Sequence, residues 1–240
     1  MKKNLLFALL LTLTGFAAAA DEIDADPLSK WSIVQVGFFP GIPSATLKSN
    51  IYGAKTGWPI VTGYGRVYGV EAAWLYSGTH YIYGVQANWV ACYNHHFDGI
   101  EASFVYCGNK KDFNGIQATF GVCKSGEGNG VQASSLNLSK DFTGLQAAAV
   151  CNITGNVTGF QAASVCNITK DITGFQASVV CNVTGKVSGF QTAIVNKAHE
   201  SEGIQFGLIN IAHKTGLQFG LINYIKGGAL PFFPIVNFSL

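Results

Sequence analysis

A short motif, Gly-Φ-Gln with Φ an apolar residue and Glu sometimes in place of Gln, recurs eleven times along the chain. Successive motifs are 13 to 16 residues apart, most often 15. A fixed period this short indicates a tandem-repeat protein, in which each unit buries its apolar surface only against its neighbours. We therefore predict one β-repeat domain over residues 21–240, with the repeats at about 66–225. The motifs begin at Gly69, Gly84, Gly99, Gly115, Gly130, Gly144, Gly159, Gly174, Gly189, Gly203 and Gly216.

Residues 1–20 have the pattern of a secretory signal peptide. Lys2 and Lys3 precede an apolar run, and four small residues end the segment before Asp21. The segment predicts an exported protein, located in the outer membrane or at the cell surface of a bacterium. No cysteine lies at the junction, so the sequence does not support a lipid-anchored N-terminus.

The charge balance argues against a nucleic acid partner. Removing the leader takes Lys2 and Lys3 from the fifteen basic residues, which leaves as many basic as acidic residues in the mature chain. Proteins that bind nucleic acid need clustered basic charge. Charged residues make up only 12% of the chain, about half the usual share of a soluble domain. This composition predicts a β-rich protein with little charged surface.

Each repeat alternates between two kinds of side chain. In the repeat that begins at Gly174, Phe175 and Ala177 fall on one side of an extended strand, and Gln176 and Ser178 fall on the other. Alternation with a period of two predicts a β-strand. Breaks at Gly155-Asn156 and Lys170-Asp171 have the composition of tight turns. The strands thus have an apolar side and a side of amides and small groups.

The amide side begins in every repeat with the third residue of the motif. We identify this row as a candidate lining of a lumen or a candidate ligand-binding surface, although the simpler interpretation is that its amides hydrogen-bond one another across the strands. Glu71 and Glu101 would bias a lumen toward cations. The row consists of Glu71, Gln86, Glu101, Gln117, Gln132, Gln146, Gln161, Gln176, Gln191, Gln205 and Gln218.

The main fold prediction is an all-β antiparallel meander closed as an outer-membrane β-barrel of roughly 12 strands. An uncharged outer side, a polar inner side and a signal peptide all fit a transmembrane barrel. Segment 229–240 would be its closing C-terminal strand, since Val236, Phe238 and Leu240 alternate to the end of the chain. The barrel would have a structural or pore-like role, with the lipid bilayer as its partner.

The alternative is a β-solenoid of coils of about 15 residues, in which equivalent residues stack in register. The nearly constant period favours it, as does the alanine that follows the Gln or Glu of the first eight motifs. Bulky Trp74 and Trp89 count against it if they must fit inside a narrow core. Such a solenoid would be exposed at the surface and would bind a protein or a carbohydrate through its Gln ladder.

Several segments resemble the bacterial surface-repeat proteins first catalogued in spirochaetes. These are GIQFGLIN at Gly203, GLQFGLIN at Gly216, WSIVQVGFFPG at Trp31 and the ending GGALPFFPIVNFSL. The resemblance implies an exported surface or envelope protein without an established activity. The middle repeats depart from it, because they read GFQAAS where the family has a second glycine.

No set of residues with catalytic, cofactor-binding or metal-binding spacing is discernible, and we predict a protein that is not an enzyme. The six cysteines form two rows: Cys92, Cys107 and Cys123 on the amide side, and Cys151, Cys166 and Cys181 on the apolar side. Spacings of 15 and 16 match no zinc motif. Stacked coils would bring neighbouring cysteines together, whereas a meander would keep them apart.

Overall fold

The computed structural model describes residues 30–214, 216–228 and 230–239. The predicted signal peptide lies outside the described residues. The elements are β1 (Trp31–Gly37), α1 (Ala45–Lys48), β2 (Asn50–Gly57), β3 (Ile60–Ala73), β4 (Tyr76–Asn88), β5 (Ala91–Ser103), β6 (Tyr106–Thr119), β7 (Val122–Ala163), β8 (Cys166–Ser178), β9 (Cys181–Thr192), β10 (Val195–Ser201), β11 (Ile204–Phe206), β12 (Ile209–Ala212), β13 (Gly216–Ile225) and β14 (Phe232–Ser239).

The chain is a β-solenoid, and the predicted antiparallel barrel is wrong. Strands β1 to β13 pair in parallel, each with the strand one coil further on, and equivalent residues lie side by side. A hairpin at Gly155-Asn156 would have paired Phe160 with Cys151, but Phe160 pairs with Phe175 of the next coil. The segments interpreted as hairpin turns are corners of the coils, and Asn156 pairs with Asp171 there. The solenoid alternative is the fold of the described residues.

The amide side of each strand faces the interior, and the apolar side faces outward. The inward side chains form columns along the solenoid, which include the Gln and Glu column, a column of Cys and Asn, a column of mainly Thr, Ser and Asn, and one of larger apolar residues. The apolar column forms one core cluster of Ile51, Val67, Ile82, Phe97, Phe113 and Phe142. Its residues Val157, Ile172 and Val187 form a second cluster together with Ala198, which pairs with Thr184 in the neighbouring column. Trp74 and Trp89 lie outside, 50% and 66% exposed, so the core never has to hold them.

A glycine with positive φ begins most coils. Gly159 has φ +131°, and a Cβ built on it would lie 2.3 Å from the carbonyl oxygen of Gly144. No L-residue fits that position, because both the dihedral angle and the close approach of the neighbouring backbone exclude a side chain. The invariant glycine of the motif is therefore a corner, and these residues are called the corner glycines below.

Strands β1 and β14 flank the stack. β1 pairs in parallel with β2, and β14 pairs antiparallel with β13. The predicted C-terminal strand thus exists as β14, but it lies beside the last coil and closes no barrel. Pro234 lies within β14, where an edge strand tolerates the missing N–H group.

Candidate functional site

The Gln and Glu column is buried in the interior. All eleven of its predicted members are 0% exposed. Gln176 Nε2 donates to Gln161 Oε1 at 2.7 Å, and Gln191 Nε2 donates to Gln176 Oε1 at 2.8 Å. The hydroxyls of the neighbouring column add bonds, such as Thr169 Oγ1 to Gln161 Oε1 at 2.8 Å. The column stabilises the coils by mutual hydrogen bonding, and neither a lumen nor an external ligand reaches it.

A second interior ladder runs beside the first. Asn137, Asn152, Asn167, Asn182, Asn196, Asn210 and Asn223 are all 0% exposed. Each Nδ2 donates to the Oδ1 of the next asparagine, at 2.8 to 3.0 Å. Stacked asparagines are what the solenoid alternative predicts, and their recurrence seven or eight residues after the corner glycine is the sequence signal of the column.

Lys55 extends the Gln and Glu column by one coil and was missed in the sequence, because Gly53-Ala54-Lys55 lacks the motif. Lys55 Nζ lies 3.6 Å from Glu71 Oε2 and donates to Thr79 Oγ1 at 2.7 Å. Burial lowers the pKa of Lys55, and the Glu71 carboxyl opposes that effect. Glu71 therefore has a cation beside it in the interior.

Glu101 is the other carboxyl in this column, and its environment differs. Asn94 and Gln117 donate to its two oxygens at 3.1 and 2.9 Å, and Asn109 donates at 2.7 Å. Burial raises the pKa of Glu101 to about 7, although hydrogen bonds from Cys92 and these amides oppose the rise. The side chains with the largest effect on this carboxyl are the thiol of Cys92 and the three amides, none of which is basic.

The cysteines stack as the solenoid alternative predicts. Cys92 Sγ lies 3.0 Å from Cys107 Sγ in the interior, and Cys151 Sγ lies 2.7 Å from Cys166 Sγ near the surface. All six cysteines are free thiols in the structure. Cys166 and Cys181 are partly exposed, whereas Cys92, Cys107 and Cys123 are 0% exposed.

We expect a mild oxidant to link Cys151 to Cys166 before it links the interior thiols. The thiolate is the reactive form, and burial together with Cys166 raises the pKa of Cys151 to about 12. The rate should therefore rise about tenfold per pH unit near neutrality. Diamide treatment of the folded chain, followed by non-reducing digestion and mass spectrometry, measures the rate at which Cys151 and Cys166 are linked. Cys123, 0% exposed, is the internal control, and its earlier oxidation would contradict the order.

An uncharged apolar surface covers one side of the solenoid. It consists of the outward residues of the strand that follows each corner glycine, and we call it the outer face. Eleven rows spaced about 4.8 Å apart make it about 48 Å long, and its two columns lie about 7 Å apart. A contiguous apolar surface of this length is a candidate interaction site. Its two columns are Val70, Val85, Ile100, Ile116, Val131, Leu145, Phe160, Phe175, Phe190, Ile204 and Leu217, and Ala72, Ala87, Ala102, Ala118, Ala133, Ala147, Ala162, Ala177, Thr192, Phe206 and Phe219.

A row of aromatic side chains borders the outer face, at the bend where the strand ends. This aromatic row consists of Trp58, Trp74, Trp89, Phe104 and Phe120, which are 50% to 72% exposed. The rings of Trp58 and Trp74 stack with centroids 4.7 Å apart, and those of Phe104 and Phe120 with centroids 5.5 Å apart. Stacking positions the rings, but their outward surfaces lack a protein partner along the described residues.

Charged residues lie at a different corner of the coils, just before the corner glycine. This charged edge includes Lys140, Asp141, Lys170, Asp171 and Lys186. Lys186 Nζ lies 2.7 Å from Glu202 Oε1 in an exposed ion pair. The solenoid is thus amphipathic across its width, with the charged edge separated from the outer face by the row of corner glycines.

The described part of the chain contains no helix with the length and hydropathy of a membrane span. Comparisons with protein-family models, with curated proteins and with solved structures found no match. The functional argument therefore depends on the surfaces and the interior of the solenoid itself.

Proposed function

We propose that this chain is an exported, non-enzymatic surface-repeat protein of a bacterial envelope, and that its β-solenoid attaches to a lipid bilayer through the outer face and the aromatic row. The observation that supports this most directly is the reversal of polarity. The amides are 0% exposed, while Trp58, Trp89 and Phe120 are at least 60% exposed. The resemblance of the two ends of the chain to surface-repeat proteins supports the proposed location.

The chemistry of the outer face favours lipid over carbohydrate. Sites for small polar ligands combine apolar walls with hydrogen-bonding groups that fix the ligand. From Val70 to Ala177 the two columns of the outer face contain no polar side chain. Hydrocarbon needs no such groups, and tryptophan at an apolar boundary is typical of the membrane–water interface. The solenoid would lie along the bilayer surface, with the charged edge in water.

Removing the tryptophans should weaken binding to vesicles. We expect Trp58→Ser, Trp74→Ser and Trp89→Ser together to lower the partition coefficient on phosphatidylcholine vesicles at least about tenfold, since each buried aromatic side chain contributes about 2 kcal/mol. Serine should leave the fold intact, because Ser135 and Ser164 occupy the same position in later coils. Vesicle co-flotation measures the bound fraction.

Lys170→Gly is the matched control. It changes the charged edge, and Gly155 and Gly185 occupy that position in neighbouring coils. Neutral vesicles remove the electrostatic contribution to binding, so this variant should float like the unchanged chain. Failure of the unchanged chain to float, or equal flotation of the triple variant, would overturn the proposal. If the chain self-associated in light scattering but did not float with vesicles, the outer face would instead bind a second copy of the chain.

A further inference from the structure

Two thiols and a carboxyl converge in the interior near the start of the stack. The side chains of Cys92, Glu101 and Cys107 each offer a ligand atom, and these atoms lie within 4.8 Å of one another. All three residues are 0% exposed. Their positions follow from the repeat, because Cys92 and Cys107 pair in register on β5 and β6, and Glu101 belongs to the adjoining column.

This cluster is a local departure from the amide ladders. Cys92 pairs with Ser77 of the previous coil, and asparagine replaces cysteine in this column from Asn137 onward. Gln86 and Gln117 flank Glu101 in its own column. A neutral network would be complete with serine and glutamine at these positions. The chain instead places three groups that can become anionic around one point.

Two further observations favour a cation there. Lys55 lies beside the buried carboxyl of Glu71, whereas amides and a thiol surround that of Glu101. Asn109, 2% exposed, donates its Nδ2 to Glu101 Oε2 at 2.7 Å, and its Oδ1 is buried without a hydrogen-bond partner. A buried amide oxygen that lacks a donor is destabilising, and a cation would satisfy it.

We propose that Cys92, Cys107 and Glu101 bind a thiophilic divalent cation, with zinc as the best fit, and that the Asn109 Oδ1 atom is available as a fourth ligand. Two thiolates with oxygen ligands suit the tetrahedral coordination of Zn²⁺. Thiolates bound at about 2.3 Å to a tetrahedral ion lie about 3.8 Å apart, so the two sulfur atoms would separate by about 0.8 Å from their present 3.0 Å.

Binding exchanges protons for the metal. The two thiols release their protons to solvent, Glu101 binds as the carboxylate, and no electron is transferred. The amide donors around Glu101 remain to stabilise the net negative charge of the complex. Because the site is 0% exposed, the cation would enter while the coils fold and would be retained afterwards.

Refolding the full chain with Cd²⁺ tests the site. The reduced, chelated chain is refolded with Cd²⁺ alone, gel-filtered, and analysed for bound metal and for thiolate-to-cadmium absorbance. We expect about one Cd²⁺ per chain, and about tenfold weaker retention in Glu101→Gln. Cys92→Ser should abolish retention. Serine and glutamine each occur in the same column of an adjoining coil, so these variants should keep the fold, which circular dichroism checks.

The second thiol ladder is the internal control. Cys151→Ser breaks the stacked pair of Cys151 and Cys166, which is separate from the group of Cys92, Glu101 and Cys107, and its Cd²⁺ content should equal that of the unchanged chain. Absence of bound Cd²⁺, retention that survives Cys92→Ser, or loss only in Cys151→Ser would overturn the proposal. The proposal would also be overturned if chain purified without reductant or metal contained a Cys92–Cys107 disulfide, and if this disulfide formed on refolding in preference to metal binding.

Discussion

Gly159→Ala should lower the free energy of unfolding by at least about 3 kcal/mol, the sum of backbone strain at positive φ and a steric clash. The added Cβ would lie 2.3 Å from the Gly144 carbonyl oxygen, and that oxygen belongs to the backbone of the neighbouring coil, which cannot rotate away. Gly174 stacks on Gly159 from the other side, so a shift of one corner disturbs the next. A guanidinium titration followed by circular dichroism measures the change in midpoint.

Thr158→Ala is the matched control for this variant. Thr158 precedes the corner glycine, is exposed, and contributes no inward side chain. Its replacement should change the free energy of unfolding by less than about 0.5 kcal/mol, as exposed substitutions usually do. If both variants unfolded at the same denaturant concentration, with equal slopes, the corners would not be stacked as described.

The repeat and the two-sided strands could be predicted from the sequence, because both depend on local order. Gly159, Phe160 and Gln161 recur in that order, and alternation places Phe160 and Gln161 on opposite sides of any strand. The cysteine pairs, too, followed from the period once coils were assumed. The repeat and the alternation hold for a meander and for a solenoid alike, whereas the cysteine pairs hold only for the solenoid.

The direction of pairing could not be predicted in the same way. The alternation of Phe175 and Gln176 is compatible with lipid outside a barrel and with the exterior of a solenoid. What decides between the folds is that equal residues pair, such as Asn152 with Asn167, which gives every buried amide an identical partner one coil away. The expectation that tryptophan belongs in a core also misled, since Trp74 and Trp89 lie at an outer bend.

Gln161→Leu should cost about 3 kcal/mol, although leucine has nearly the same volume and is more hydrophobic. Gln161 Oε1 accepts from Gln176 Nε2 at 2.7 Å and from Thr169 Oγ1 at 2.8 Å, and its Nε2 donates to Gln146 Oε1 at 3.1 Å. Leucine leaves the two donors without this acceptor in a buried site, at about 1–3 kcal/mol for each group. Chemical denaturation measures the loss.

Phe160→Leu is the control for the ladder variant. Phe160 adjoins Gln161 but faces outward, and Leu145 occupies the same column one coil earlier. Leucine keeps most of the apolar side chain but loses the ring stacked on Phe175, so the free energy of unfolding should fall by no more than about 1 kcal/mol, well below the loss in Gln161→Leu. Equal losses in both variants would show that the amide bonds of the interior contribute nothing specific.

Gln161→Glu separates the acceptor role of the side chain from its charge. The new carboxyl can accept from Gln176 and Thr169, as Glu101 accepts from Gln117. Burial should raise its folded pKa above the unfolded value, as burial raises the pKa of Glu101 from 4.5 to about 7. Between these pH values the unfolded chain binds fewer protons, so the stability of the variant relative to the unchanged chain should fall as the pH rises from about 4.5 to about 7. For Gln161→Leu in the same buffers, the loss in free energy of unfolding should not change with pH. A loss that is also independent of pH in Gln161→Glu would mean that the carboxyl had reached solvent.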